Sequence, residues 1–251
     1  MEILMKRVIK YLAMAMILSA LVTCRKENRC DCIKRTGSIV KEERQPGSFR
    51  SVFVEDNVNL IFIEDSVAFL EVEAGENIVD LIKTEINGDW LNIRNENKCN
   101  FTRRYDIPVN VYVHAPPMTL QHIITRSTGN ITNKNPCTVS EIDLEIQGSG
   151  DIEFTVAGGK VLTHQHGAGD ITLHGSANEV VIYTTGTGFT IADDCANPYT
   201  WVYTRTTGKI TVCPINVLIC EIAGSGHVYY KGIPNSIQCT RHSTGELLPL
   251  P

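Results

Sequence analysis

Three groups of residues in this chain have the types and spacing that chemistry needs. Gly148-Ser149-Gly150-Asp151 could cradle a phosphate, form a nucleophile elbow or supply half of a calcium repeat. Asp151 and Asp170, with Glu153 close by, could act as paired acids on a glycosidic bond. His164 and His166 form a His-x-His, the spacing with which one strand can present two imidazoles to a metal, and His174 follows shortly after.

Each reading depends on the element that carries it. From residue 127 onward the chain repeats: Ser127-Thr128-Gly129, Gly148-Ser149-Gly150, Gly167-Ala168-Gly169, Gly186-Thr187-Gly188, Thr206-Thr207-Gly208, Gly224-Ser225-Gly226 and Ser243-Thr244-Gly245. The final glycines are 21, 19, 19, 20, 18 and 19 residues apart. A period this regular means stacked units of one architecture. A short β-type run follows each glycine ("DIEF", "DITL", "KITV") and a second precedes the next ("VVIYT", "WVYTR", "LICEI"). Two strands and two turns in so few residues are too short for a propeller blade and fit one coil of a parallel β-helix. The Gly-x-Gly is then a corner, where glycine permits positive φ or close backbone approach, and Gly169 is expected at positive φ.

Counting back from each final glycine predicts the core. Six residues back stand Leu144, Thr163, Ile182, Val202, Cys220 and Cys239; eight back, Ile142, Val161, Val180, Thr200, Leu218 and Ile237; two after the glycine, Ile131, Ile152, Ile171, Thr190, Ile210 and Val228. Alternation turns their neighbours outward. Cys220 and Cys239 share an inward column and are expected to touch.

On this frame the chemical readings weaken. A dinucleotide fingerprint and a nucleophile elbow both need a helix after the turn, and a strand follows here. Calcium nonapeptides repeat every nine residues. Asp at such corners caps a turn through its own side chain. The histidines lack a third ligand in register. No catalytic residue, metal ligand or cofactor is therefore assigned. The outward columns are more informative: Leu162, Val181, Trp201 and Ile219 lie beside Tyr183 and Tyr203, an apolar and aromatic patch rimmed by Glu145, Glu221 and His164. Exposed patches of this kind mark binding surfaces.

The N-terminus speaks to location. Lys6 and Arg7 precede the apolar run Val8 to Val22, which has the length of a secretory segment rather than a bilayer span. It ends in Leu21-Val22-Thr23-Cys24, similar to the lipobox of bacterial lipoproteins, in which the Cys becomes the lipidated first residue. Residues 1–24 are thus read as a lipoprotein signal peptide, 25–47 as a flexible charged tether, and 48–251 as a single domain with regular repeats over 127–245. In the N-terminal part, Glu76 to Ile86 could be a short helix or another strand. Eight further cysteines permit disulfides in an exported chain without fixing their connectivity. With 23 Lys+Arg against 28 Asp+Glu and no basic run among aromatics, a nucleic-acid partner is not expected.

The repeated Gly-[Ser/Ala]-Gly-Asp-Ile, the segments "FRSVFVEDNVNLIFIED" and "IPVNVYVHAPPMTLQHI", and the lipobox together resemble the auto-transporter adhesin head GIN domain family of Bacteroides-type envelope lipoproteins. The resemblance spans about residues 48 to 247. It implies an all-β, right-handed parallel β-helix and an adhesion role, and it brings no catalytic residues. The expectation is an outer-membrane or cell-surface lipoprotein, or one facing the periplasm, that holds the membrane through a lipid at Cys24 and binds a glycan or an envelope or host protein. The alternative is a polysaccharide hydrolase or lyase using the acidic corners.

Overall fold

The computed structural model describes residues 35–97 and 107–250. Its strands are β1 (Ile39–Arg44), β2 (Ser51–Val54), β3 (Asn59–Glu64), β4 (Phe69–Gly75), β5 (Ile82–Asn87), β6 (Trp90–Asn95), β7 (Asn110–Ala115), β8 (His122–Thr125), β9 (Ile131–Asn133) and β10 (Cys137–Thr138). They continue as β11 (Glu141–Ile146), β12 (Ile152–Ala157), β13 (Lys160–Gln165), β14 (Ile171–Ser176), β15 (Glu179–Thr184), β16 (Thr190–Thr204), β17 (Ile210–Ile222), β18 (Val228–Tyr230), β19 (Ser236–Arg241) and β20 (Leu247–Pro249).

Parallel pairing winds these strands into a β-solenoid with two long faces. One face runs β2, β8, β11, β13, β15, then the second halves of β16 and β17, then β19. The other runs β3, β9, β12, β14, the first halves of β16 and β17, then β18 and β20. Antiparallel hairpins extend the N-terminal end of each face, β5 with β6 and β4 with β7 and β1. The Glu76 to Ile86 segment resolves into a single 3-10 turn at Val79–Leu81 followed by β5.

The inward columns fall where the period places them. Leu144, Thr163, Ile182, Val202, Cys220 and Cys239 pair in series along one ladder. The first five are buried and Cys239 is exposed, since among the described residues β19 pairs with β17 on one side and with no strand on the other. Cys220 and Cys239 are free thiols, as are Cys137, Cys195 and Cys213. Burial foremost, and then the neighbouring Cys239, push the Cys220 thiol up. Cys30, Cys32 and Cys99 lie outside the described residues, as do Cys24 and the whole signal segment 1–24.

Two expectations are corrected. The stretch 25–47 is not a tether throughout: Ile39–Arg44 is a strand paired with β4, with Val40 packed on the core and the Arg44 guanidinium donating to the Val79 carbonyl at 3.0 Å. Its charges, Lys41, Glu42, Glu43 and Arg44, hide a strand because an edge strand needs only one apolar contact face. The second correction concerns Gly169, which does not have positive φ; that conformation occurs at Gly37, Gly47, Gly88, Gly158, Gly159, Gly175 and Gly232. Glycine is required at the Gly-x-Gly corner by proximity instead. A Cβ on Gly169 would sit 2.1 Å from the Gly150 carbonyl oxygen, and one on Gly150 would sit 2.0 Å from that of Gly129. The column of final glycines stacks in this way through Gly245.

Replacing Gly169 with Ala therefore forces two coils apart at a point where both partners are backbone. Overpacking of this kind costs about 1–3 kcal/mol, and in a chain of this size each kcal/mol lowers Tm by about 2–4 °C. We expect Gly169→Ala to lose at least about 2 °C in a thermal melt, and Ser149→Ala, at an exposed corner tip, to change little. Equal melting temperatures for the two would disprove the proximity argument.

Candidate functional site

The outward side of the first face is built from three columns. Strand register places Asp143, Leu162, Val181, Trp201, Ile219 and Gln238 in one ladder, and Glu145, His164, Tyr183, Tyr203, Glu221 and Thr240 in the next. A third ladder, two residues further back on each strand, brings Glu179, Tyr199 and Val217 alongside. Tyr199 is 54% exposed and Ile219 39% exposed, whereas Val181, Tyr183, Trp201 and Tyr203 are half-buried among one another. Equivalent side chains stand one strand spacing apart, so the rings align. Tyr183 and Tyr203 stack at 5.0 Å with planes 9° apart, and Trp201 lies 6.3 Å from Tyr203 at 12°. A shallow depression of about 420 Å³ opens among Glu179, Val181, Tyr199, Trp201, Val217 and Ile219.

Toward the N-terminal end the aromatic ladder runs into carboxylates and imidazoles. His164 meets Tyr183 edge-on at 5.9 Å, and His164 Nδ1 is 3.4 Å from Asp143 Oδ1. His122, from β8, brings Nε2 to within 3.6 Å of Asp143 Oδ2 and 3.8 Å of Glu145 Oε2, and Trp90 packs on its ring at 5.0 Å. His122 Nε2 and Asp143 Oδ1 are shielded from solvent yet make no hydrogen bond. Desolvation therefore dominates at Asp143 and raises its pKa, with the two imidazoles acting in the opposite direction. On the C-terminal side, Glu221 pairs with His242 at 3.3 Å. The aromatic patch is thus bounded along the solenoid axis by carboxylate–imidazole pairs on both sides.

The other candidates have structural roles. Asp170 N–H donates to Asp151 Oδ1 at 2.8 Å, and Phe189 N–H to Asp170 Oδ1 at 2.7 Å. The same ladder begins with Asn130 N–H on Asn59 Oδ1 and Asp151 N–H on Asn130 Oδ1. Each corner side chain satisfies the backbone of the next coil. His174 lies on the opposite face, between Asp194 at 2.9 Å and Glu153 at 3.4 Å, and so is not a partner of His164 and His166. Among the described residues, no three His, Cys, Asp or Glu side chains converge as a metal requires. Sequence reasoning missed His122, Trp90 and Tyr199. The first two precede the regular repeats, and Tyr199 stood one column beyond those counted.

Comparison with known proteins agrees with this architecture. The family model described as "Putative auto-transporter adhesin, head GIN domain" matches residues 48–234. The solenoid is similar to the crystal structure of a putative adhesin from Bacteroides fragilis, with a TM-score of 0.77 and 18% identity over 86% of this chain and 100% of that one. A putative lipid binding protein from Parabacteroides distasonis follows at a TM-score of 0.65 and 19% identity, covering 87% and 100%. A putative adhesin from Parabacteroides merdae gives 0.64 and 14%, covering 87% and 99%. No curated protein matches.

The desolvated Asp143 generates a pH prediction. A carboxyl whose folded pKa is raised contributes stability below its unfolded pKa, and that contribution is lost as pH rises through the folded value. Asn mimics the protonated form at every pH. The Tm of Asp143→Asn minus that of the wild type should therefore become more positive from pH 3 to pH 7. A difference that stays flat or falls across that range would show that the histidines outweigh desolvation.

Proposed function

The chain belongs to the family described as putative auto-transporter adhesin, head GIN domain, and from that premise we propose that it is an exported, envelope-anchored binding module whose ligand face is the aromatic side of the solenoid. Leu162, Val181, Tyr183, Trp201, Tyr203 and Ile219 form that face, with Tyr199 and Val217 extending it. The observation that carries the reading is the run of parallel rings at Tyr183, Tyr203 and Trp201, bounded by Asp143, Glu145 and His164 on one side and Glu221 and His242 on the other. Rings offer apolar surface to the C–H faces of a sugar, while carboxylates and imidazoles accept and donate to its hydroxyls. A glycan satisfies both kinds of group at once. A protein segment with an aromatic or aliphatic anchor is the second kind of ligand the face admits.

Anchoring rests on the apolar segment ending in Cys24. Among the described residues no helix is long and apolar enough to cross a membrane. In this reading a lipid at Cys24 holds the protein at the outer membrane, and the chain leading to β1 joins the solenoid at its N-terminal end. Polysaccharide cleavage by the acidic corners is disfavoured, because Asp151 and Asp170 already use a carboxylate oxygen to accept a backbone N–H.

Two measurements test this. On a glycan array the wild-type protein should give a discrete set of ligands, and Trp201→Ala should bind them at least tenfold more weakly, a loss of about 1.4 kcal/mol. Ligands held equally well by the variant would remove the aromatic face from the account. Separately, Cys24→Ala should abolish metabolic labelling with a fatty acid, and a mutant that still takes up label would end the anchoring proposal.

A further inference from the structure

The ladder that carries the aromatic face does not begin at Asp143. Register continues it through His122 and Ser51 to Trp90, so that Trp90 and Trp201 stand six strand spacings apart in one column, on the order of 29 Å. The neighbouring column runs Phe53, Ile124, Glu145, His164, Tyr183 and Tyr203. Ser51 is small and buried, and the Trp90 indole leans across it to meet the His122 ring. The Arg126 guanidinium lies 5.1 Å from the Phe53 ring centroid and donates to Gln147 Oε1 at 2.6 Å, and Gln147 Nε2 donates to Glu145 Oε1 at 2.5 Å. Trp90, Phe53 and Ile124 are half-buried, as are the rings of the aromatic ladder. The outward side therefore holds two apolar platforms, with His122, Asp143, Glu145 and His164 between them.

Taking the aromatic face as the ligand surface, we propose that its ligand is a linear, non-acidic polysaccharide lying along the solenoid axis, with Trp90 and Phe53 as a second apolar subsite. The pattern along the axis is apolar, polar, apolar, and a chain of sugar rings repeats both kinds of surface, C–H faces and hydroxyls, at every unit. At the centre, His122 Nε2 and Asp143 Oδ1 make no hydrogen bond within the protein. The imidazole–carboxylate separations there are 3.4, 3.6 and 3.8 Å, longer than the roughly 2.7–3.2 Å of an N–H···O bond. A hydroxyl both donates and accepts, so it can satisfy an imidazole nitrogen and a carboxylate oxygen side by side. The His122 and Asp143 side chains are 25% and 24% exposed, which leaves them open to this face. An extended peptide lacks a matching edge. β8, β11, β13 and β15 are each paired on both sides, so peptide N–H and C=O groups laid over the apolar platforms would find no backbone partner. Two carboxylates at the centre, Asp143 and Glu145, repel the uronate or sulfate groups of an acidic chain.

The chain has two tryptophans, and they mark the two ends of the proposed site. The probes are neutral gluco-, xylo- and manno-oligosaccharides, graded from disaccharides to chains long enough to span roughly 29 Å. In at least one series, affinity measured by calorimetry should rise at least tenfold from short to spanning chains, and Trp90→Ala should remove that rise. On the wild-type protein, where no variant has to fold, the spanning chain should protect both Trp90 and Trp201 from selective oxidation. Protection of Trp201 alone, an affinity that levels off at short chains, or tighter binding of a uronate or sulfated chain of the same length overturns the proposal and leaves the aromatic-face reading standing. Failure of every neutral chain to bind overturns it as well. The underlying reading fails separately, when Trp201→Ala holds the spanning chain as tightly as the wild type does.

Discussion

The close approach of one backbone to the next at the Gly-x-Gly corner sets the terms for the rest of the molecule. The carbonyl oxygen of each final glycine occupies the space that a Cβ on the next would need. Where Ser127 and Thr206 replace the first glycine of a corner, the side chain restores a hydrogen bond. Ser127 Oγ accepts from the Gly129 N–H at 2.8 Å, and Thr206 Oγ1 donates to the Gly186 carbonyl at 2.6 Å and accepts from the Gly208 N–H at 3.0 Å. Inside the corner, Gln165 donates to the carbonyls of Gly167 and Gly169 at 3.0 Å each. The coils therefore stack at strand spacing with few unsatisfied groups, which is the condition for burying a core this narrow.

Stacking at a fixed spacing converts sequence period into surface chemistry. Whatever residue type recurs at one phase of the repeat becomes a continuous stripe. Aromatic residues at one outward phase can only form a ladder of near-parallel rings, as Tyr183 and Tyr203 do, and the residue two positions away on the same strand adds Trp201 beside them. Acidic residues at the corner phase become a backbone-capping ladder, in which Asp151 and Asp170 each accept a backbone N–H through Oδ1. The chemically unsettled groups are those at the junction between stripes. Asp143, His122 and His164 come from three coils, sit at ion-pair distances of 3.4 and 3.6 Å, and leave two shielded polar atoms without hydrogen bonds. Such an arrangement stores polar capacity next to an apolar face.

How much of this was legible follows from what a period can encode. The inward and outward columns from Leu144 to Gln238 were readable because spacing fixes phase, and phase fixes facing. The reason for glycine was not readable, since positive φ and close approach call for the same residue; only the structure shows that Gly158, at positive φ with open space around it, answers the first need and Gly169 the second. β1 was hidden by its charges, because two of them, Glu42 and Arg44, share the face of Val40, and the Arg44 guanidinium turns to the Val79 carbonyl. His122 stands seven residues before Gly129 and in register with Asp143, but it was missed because the column count began at the strand before Gly150. Column arithmetic also located Cys239 without revealing its exposure, because a column says where a residue points and not whether another coil covers it.

The departures from the period show which features the fold protects. Final glycines 188 and 208 are 20 residues apart and the next pair 18, so β16 carries extra chain relative to its neighbours. The register shifts between Ala192 and Ala196 and again between Asn197 and Tyr199, at the corner remote from the glycines. Asn197, buried there, donates to the Cys195 carbonyl and accepts from Thr200 Oγ1 at 2.7 Å, which satisfies the bulged backbone from within. Because the slack is absorbed at that corner, Thr200 to Thr204 return to register with both β15 and β17. A slip of one residue would have turned Trp201 and Tyr203 into the core and Val202 out to solvent. Placing the irregularity away from the glycine corner and before Tyr199 preserves the stack and the aromatic ladder together, and it is at this coil that the ladder is widest.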